Sequence, residues 1–183
     1  MAQPVRTDGV VALRPWSRAD AAELVACLDG DAEIGRWLDQ IPQPYMLADA
    51  LAFIGRTVET TFAVVDAASG RILGGIGLRW SEDVAEIGYW CRSDARGRGV
   101  TTRALVLAAQ RALEEGAGRV QLRADLENLP SRRVAEKAGF TAEGVLRDVH
   151  WNPRLGRRQS WVMYSLLPSE ALSRAPAPGP PRG

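Results

Sequence analysis

The chain has 183 residues, 46% hydrophobic and 25% charged, proportions that are typical of one globular domain with a real core. Its 23 basic and 22 acidic side chains leave a formal net charge of +1, which argues against nucleic acid or an anionic membrane surface as the main partner. Two cysteines and one histidine are too few for a disulfide scaffold or a structural zinc site, and no apolar run indicates a membrane span or a signal peptide. We therefore expect a cytoplasmic protein without a metal.

The first third of the chain predicts one strand followed by three helices. The strand Val10–Arg14 ends at Pro15, and Ser17 begins the next helix with the S-x-x-D spacing of a capping box. Further helical patterns follow at Glu33–Leu38 and Leu47–Thr57, on either side of a segment whose prolines forbid a continuous helix.

The middle of the chain changes from helical to strand periodicity. Strands are predicted at Thr61–Asp66, Arg71–Trp80 and Val84–Cys91, and the short turns between them favour an antiparallel meander. The second strand contains glycines at positions 74, 75 and 77. Glycine in a strand indicates a bulge or a close approach of another backbone.

The last part alternates helices and strands and then loses its apolar periodicity. Residues 1–172 are expected to form a single domain, and residues 173–183, with four prolines, a disordered tail. The predicted elements in this part are a helix at Val100–Glu115, a strand at Arg119–Asp125, a short helix at Ser131–Ala138, and a hairpin of Phe140–Arg147 and Gln159–Leu167.

The junction between the third strand of the meander and the next helix predicts a phosphate site, and a solvated loop with a glycine turn is the alternative. Gly97 and Gly99 allow a ligand to approach the backbone, and a helix N-terminus offers unpaired N–H groups and a partial positive charge. Two better-known phosphate motifs do not match, because the only lysine, Lys137, lies far from the loop, and Thr102 stands where a dinucleotide fingerprint needs its third glycine. The arginines of this segment are Arg92, Arg96, Arg98 and Arg103, opposed within it only by Asp94.

Two motifs resemble the GNAT acetyltransferase superfamily, especially its RimJ/RimL-like branch of ribosomal-protein alanine and serine acetyltransferases. Residues 96–101, Arg-Gly-Arg-Gly-Val-Thr, are similar to the family's pyrophosphate loop [Q/R]-x-x-G-x-[G/A], with Thr101 departing at the last position. Residues 128–140 follow the branch's pattern N-x-x-S-x-[RK]-[VL]-x-E-K-x-G-F. The resemblance extends from Val11 to Leu167.

The resemblance implies an α+β fold with a central mixed, mostly antiparallel sheet of about seven strands flanked by helices. The fourth and fifth strands of that fold, here Val84–Cys91 and Arg119–Asp125, splay apart, and the pantetheine arm of acetyl-CoA inserts between them. A backbone N–H near the end of the fourth strand polarises the thioester carbonyl. The residues implied to bind acetyl-CoA are Tyr89, Trp90, Cys91, Arg92, Arg96, Gly97, Arg98, Gly99, Val100, Thr101, Thr102, Asn128, Ser131 and Lys137.

Two side chains are the implied catalytic residues. Glu86, in the fourth strand, is the expected general base, and a surface or salt-bridged carboxylate is the alternative. Ser131 is expected to hydrogen-bond the sulfur and to protonate the leaving thiolate, and helix capping is the alternative. Cys91 is a poor candidate for covalent catalysis, since the single histidine lies in a distant hairpin connection.

The acceptor side is implied to be formed by the early helices and the late hairpin. Trp37 and Trp80 are its expected walls, although six tryptophans are more typical of core positions, and His150 is expected on the surface or on the substrate rim. The implied reaction is transfer of an acetyl group to a primary amine, either a protein N-terminal α-amine or a small molecule. A non-catalytic acyl-CoA-binding or sensing module, an enzyme for another acyl-CoA, and a homodimer are left open.

Overall fold

The computed structural model describes residues 6–56 and 60–172. The predicted tail at 173–183 and Thr57, the predicted end of the third helix, lie outside the described residues. The strands are β1 (Arg6–Thr7), β2 (Val11–Pro15), β3 (Thr61–Asp66), β4 (Ile72–Ser81), β5 (Val84–Cys91), β6 (Arg119–Asp125), β7 (Thr141–Asn152) and β8 (Arg157–Leu166). The helices are α1 (Ala21–Leu28), α2 (Ala32–Trp37), α3 (Leu47–Arg56), α4 (Val100–Glu114), α5 (Leu129–Lys137) and α6 (Pro168–Leu172), with 3-10 turns at Arg18–Asp20 and Ser93–Ala95.

The eight strands form one mixed sheet in the order β1-β2-β3-β4-β5-β6-β8-β7. Neighbouring strands are antiparallel except β5 and β6, which are parallel. The α+β fold with a mixed, mostly antiparallel sheet is thus confirmed. The described residues form eight strands rather than about seven because Arg6–Thr7 pairs with β2, and two residues are too few to show a period in the sequence.

The parallel strands β5 and β6 pair only at their beginnings. Their ladder joins Val84 to Arg119 and ends where Glu86 meets Gln121. After this point β5 keeps its pairing with β4, and β6 keeps its pairing with β8. The side of β5 that faces β6 is therefore left without a partner strand among the described residues, and the expected splay between the two strands is confirmed.

Helices cover the two faces of the sheet with separate hydrophobic layers. One layer includes α4 and α5, and the other includes α1, α2 and α3. Side chains of a strand alternate between faces, and in β5 Ile87 belongs to the α4 layer whereas Trp90 packs against the α1–α3 layer. Glu86 and Gly88 consequently lie on the face of α1–α3.

The glycines of β4 permit a close approach of Trp90, as glycines within a strand predict. A Cβ on Gly74 would lie 2.4 Å from the carbonyl oxygen of Trp90, and a Cβ on Gly75 would lie 2.5 Å from the indole Nε1 of the same residue. The register of β3 against β4 also shifts by a bulge. Trp90 therefore rests on bare β4 backbone, where its ring stacks on Trp16 with centroids 6.4 Å apart.

Candidate active site

A cavity of about 750 Å³ occupies the wedge between β5 and β6 and extends to α2 and to β7 and β8. Its volume lies within the range of small-molecule sites. We call the part lined by Arg96, Gly97 and Thr101 the loop end, and the part lined by Trp37, Asp39, His150 and Trp161 the hairpin end. Glu86, Gly88, Tyr89 and Ser131 line the middle.

The loop end is formed by the turn that leads from β5 into α4. Gly97 and Gly99 have φ angles of +73° and +76°, a region that favours glycine, and a Cβ at either position would meet no atom within 4 Å. Gly99 is the N-cap of α4 and has no side chain to bind the first N–H groups of the helix. Open backbone donors at a helix N-terminus form an anion site.

The arginines of this loop are less free than the local sequence indicated. Arg92 forms ion pairs with Asp94 and with Glu23 of α1. Asp94 also forms an ion pair with Arg71. The expectation that Asp94 alone opposes the loop arginines is therefore wrong, because the fold brings further carboxylates to the loop. Asp31 binds Arg96 and Asp8 binds Arg103, each from an earlier part of the chain.

Arg98 is the loop arginine that forms no ion pair with the described residues. Its side chain is exposed beside the open backbone of Gly97 and Gly99. Asp31 uses different oxygens for its two contacts, since Oδ1 accepts from the first N–H groups of α2 while Oδ2 accepts from Arg96. Of the four arginines in this segment, three are therefore held by carboxylates. Arg98 acts only through its charge on Asp66, whose pKa is lowered by hydrogen bonds from Ser69 and further by that charge.

The predicted acetyl-CoA residues divide into two groups in space. The first group lines the cavity and consists of Tyr89, Trp90, Cys91, Arg96, Gly97, Thr101, Asn128 and Ser131. The second group does not line it and consists of Arg92, Arg98, Gly99, Val100, Thr102 and Lys137. Within the second group, Val100 is buried in the core, whereas Lys137 is exposed at the far end of α5, so the structure does not bring the lysine to the cavity.

Ser131 and Tyr89 meet across the wedge. The hydroxyl of Tyr89 lies 3.0 Å from Oγ of Ser131 and 3.2 Å from its backbone oxygen. The helix cap is Asn128, whose Oδ1 accepts from the backbone N–H of Ser131, so the serine hydroxyl is not used for capping. Burial raises the pKa of Tyr89 to about 12, and its phenol is therefore protonated at neutral pH.

Cys91 is half-buried at the loop end. Burial raises the pKa of its thiol, against a weaker opposing effect of a hydrogen bond with Thr101. A thiolate is the nucleophilic form of cysteine, so a raised pKa agrees with the expectation that catalysis does not pass through Cys91. Burial likewise raises the pKa of Cys27, the other cysteine, to about 11.

Glu86 lies in the middle of the cavity and is held by neighbouring side chains. Its Oε1 accepts from Arg123 at 2.5 Å and from Arg79 at 3.4 Å, and its Oε2 accepts from Gln121 at 3.3 Å. Gly88 beside it leaves open space, as expected. The salt-bridged alternative for Glu86 is present in the structure, and its role as a base stays a prediction.

The hairpin end is aromatic and contains the single histidine. Nε2 of His150 lies 2.9 Å from Oδ2 of Asp39, and the imidazole stacks on Trp161 with centroids 5.3 Å apart. Trp37 lines this end, but Trp80 does not, because it packs on the opposite face of the sheet against the α4 layer. Sequence reasoning did not single out Asp39, which is 111 positions from its partner.

A buried polar network fixes the hairpin end to the sheet. Nδ2 of the fully buried Asn152 donates to the carbonyl of Arg36 at 3.0 Å and to Oε1 of Gln159 at 3.2 Å. Nε2 of Gln159 in turn donates to Asp125 at the end of β6, at 2.6 Å. Arg154 donates to the carbonyls of Gly35, Leu38 and Ile41, near the end of α2 and in the segment that follows it. Helix α2, the hairpin and β6 are consequently joined into one wall.

Comparison with known proteins identifies the family of the chain. The model of the family described as acetyltransferase (GNAT) domain matches residues 11–141. The chain belongs to this family. The matched range contains both motifs that carried the resemblance, residues 96–101 and 128–140.

Individual relatives agree with that assignment. The "Putative ribosomal N-acetyltransferase YdaF" of Bacillus subtilis (strain 168) is 38% identical over 106 residues, which are 55% of this chain and 56% of the relative. The chain thus spans about half the length of the curated relatives it matches. A GCN5-related N-acetyltransferase from Brucella melitensis has a TM-score of 0.76 at 28% identity, over 93% of this chain and 80% of its own. RimL, a ribosomal L7/L12 α-N-protein acetyltransferase solved with coenzyme A, shares the fold, with a TM-score of 0.78 at 18% identity over 90% of this chain and 98% of RimL.

Residues 6–56 and 60–172, the part of the chain that the structure describes, contain no group of three or more histidine, cysteine, aspartate or glutamate side chains placed to hold a metal ion. They also contain no helix that is long and apolar enough to cross a membrane.

Proposed function

We propose that this protein transfers an acetyl group from acetyl-CoA to a primary amine, either a protein N-terminal α-amine or the amine of a small molecule. The observation that carries the proposal is the wedge between β5 and β6, which has an open helix N-terminus at one end and an aromatic pocket at the other. Membership in the GNAT family supports acetyl-CoA as the donor. A cytoplasmic location belongs to the same proposal.

The cavity and the loop beside it, from Arg98 to the start of α4, together fit acetyl-CoA. The N–H groups at the start of α4 and the guanidinium of Arg98 would bind the pyrophosphate by charge-assisted hydrogen bonds. The unpaired side of β5 beyond Glu86 would hydrogen-bond the amides of the pantetheine arm, as a neighbouring strand does. Open space at Gly97 and Gly88 leaves the path free of side chains.

The proposed reaction is direct attack in a ternary complex. The amine nitrogen forms a bond to the thioester carbonyl carbon, and the bond from that carbon to sulfur breaks. A backbone N–H of Trp90 or Cys91 would stabilise the negative charge on the carbonyl oxygen. Ser131, whose hydroxyl contacts the protonated Tyr89, would give a proton to the leaving thiolate and recover one from solvent.

The test is release of free thiol from acetyl-CoA in the presence of a panel of amines, with the product read by mass. The panel contains peptides with a free N-terminus and small primary amines. We expect release with at least one acceptor, and a strong loss of turnover with unchanged acetyl-CoA affinity in Ser131→Ala. Ser81→Ala, at an exposed serine outside the cavity, is the matched control and should behave like the wild type.

Two outcomes would replace this function by the alternatives. Acetyl-CoA binding without thiol release for every amine would make the protein a non-catalytic binding or sensing module. Release from a longer or charged acyl-CoA, with none from acetyl-CoA, would make it an acyltransferase with another donor. Failure of acetyl-CoA to bind in calorimetry would contradict the assignment of the wedge itself.

A further inference from the structure

The hairpin end of the cavity contains an imidazole and a carboxylate in direct contact. Nε2 of His150 lies 2.9 Å from Oδ2 of Asp39, and both residues line the same cavity as Gly88 and Ser131. The carboxylate is largely buried, with 14% of its side chain exposed, while 36% of the imidazole is exposed. The carboxylate is therefore mostly shielded from solvent, whereas the imidazole keeps a substantial exposed surface.

This contact determines which nitrogen of the histidine is free. A neutral imidazole has one N–H donor and one acceptor nitrogen, and a carboxylate can only accept. Asp39 thus selects the tautomer with the proton on Nε2, which leaves the lone pair of Nδ1 free. Nδ1 has no hydrogen-bond partner among the described residues, and the ring is held flat against Trp161.

We propose that His150 accepts the proton of the attacking amine at Nδ1, directly or through one water, and that Asp39 is its positioning residue. This inference rests on the proposed function. The bond from nitrogen to the acetyl carbon forms, the bond from that carbon to sulfur breaks, and one proton passes from nitrogen to Nδ1. The imidazolium is stabilised by the carboxylate of Asp39 and returns its proton to solvent after product release. Ser131 gives the thiolate a separate proton and takes up one from solvent in exchange, so no proton is gained or lost over the cycle.

The other candidate for this role, Glu86, is bound differently. Its oxygens accept from Arg123, Arg79 and Gln121, so taking up a proton would disrupt contacts that the charged form makes. His150 gains a charge next to a carboxylate instead. Asp39 is the charged group in direct contact with the imidazole. The guanidinium of Arg123 lies 4.7 Å from the ring of Trp161, on which the imidazole stacks, and pairs with Glu86, while Glu33 and Asp125 also line the cavity.

The surrounding fold holds the pair in register. His150 belongs to β7, whereas Asp39 follows α2, and these segments are joined by the hydrogen bond from Asn152 to the carbonyl of Arg36 and by the contacts of Arg154. A base must lie within hydrogen-bond reach of its proton, directly or through one water, and a fixed wall preserves that distance.

The test compares His150→Gln with Glu86→Gln across pH, using kcat/KM for a peptide α-amine. At pH 7 an α-amine is about 10–15% neutral, so a base matters most there. We expect His150→Gln to lose about 10²-fold or more at pH 7 with unchanged acetyl-CoA affinity, and the loss to shrink toward pH 9 as the amine deprotonates in solution. Glu86→Gln should lower the rate by a factor that does not vary with pH. Asp39→Asn should weaken turnover in the same pH-dependent manner, and Asp39→Glu should restore part of it.

A second readout does not depend on activity. Because the chain has one histidine, its ring nitrogens give a single pair of NMR signals, and we expect the neutral ring to be protonated on Nε2 in the wild type and to lose that preference in Asp39→Asn. This inference would be overturned if His150→Gln turned over as fast as the wild type, or if Glu86→Gln alone showed a pH-dependent defect. Either result would leave the proposed function intact. Absence of turnover with every amine would overturn both, even if the NMR signals showed the pair.

Discussion

Replacing Gly97 by Ala separates ligand binding from backbone strain. A Cβ at this position meets no atom within 4 Å, so the variant creates no clash in the unbound protein, but its φ of +73° disfavours any residue with a side chain. That strain costs about 1–2 kcal/mol of folding free energy, reduced somewhat by the lower entropy of the unfolded chain. For a chain of this size, each kcal/mol lowers Tm by roughly 2–4 °C.

The effect on binding is separate and larger. The new methyl group lies at the cavity surface where the pyrophosphate is proposed to approach the backbone. Displacing one charge-assisted hydrogen bond costs roughly 1.5–3 kcal/mol, which corresponds to about a 10- to 150-fold weaker Kd for acetyl-CoA.

Gly116→Ala is the matched control. Gly116 follows the other end of α4, has a φ of +99°, and also leaves open space for a Cβ. Calorimetry with acetyl-CoA and thermal unfolding should show similar losses of Tm in both variants and a weaker Kd in Gly97→Ala alone. Equal Kd values for the two variants would refute the assignment of this loop to the pyrophosphate.

Three further predictions concern binding, packing and pH. Arg98→Ala should weaken acetyl-CoA by about tenfold or more in calorimetry, whereas Arg103→Ala, which removes a side chain already paired with a carboxylate, should have a smaller effect. Asn152→Ala leaves two acceptors of the buried network, the carbonyl of Arg36 and Oε1 of Gln159, without their amide donor. Urea denaturation should show a free energy of unfolding lower by roughly 2 kcal/mol or more, against a near-zero change for Gln110→Ala at an exposed position. The pKa of Tyr89 is about 12 in the folded protein and near 10 in the unfolded chain, so the unfolded chain ionises first as pH rises. The free energy of unfolding should therefore fall between about pH 10 and 12, and it should fall less in Tyr89→Phe. An identical fall in both proteins would contradict the burial of this phenol.

Local features of the fold were readable from short stretches of sequence. Ser17 and Asp20 form the predicted capping box at the start of the first helical segment. Pro130 lies in the first turn of α5, and Gly116 and Gly139 follow their helices with positive φ. These features can be predicted from the sequence because capping and turn geometry depend on residues only a few positions apart.

Contacts between distant segments could not be read in this way. Apart from Asp94, the carboxylates that pair with the loop arginines lie far along the chain, as for Arg103 and Asp8, 95 positions apart, and no periodicity relates them. The position of Trp80 outside the cavity, by contrast, follows from the local sequence. A two-residue turn at Glu82 and Asp83 pairs Arg79 with Glu86, and strand alternation then puts Trp80 on the opposite face from that pair.

The two oxygens of Asp31 have separate partners, so the capping of α2 does not depend on the ion pair with Arg96. One oxygen of this carboxylate caps α2 and the other holds Arg96 of the loop. A phosphate of the proposed donor that displaced Arg96 would therefore leave the first turn of α2 capped, and Trp37 at the end of that helix would keep the same support.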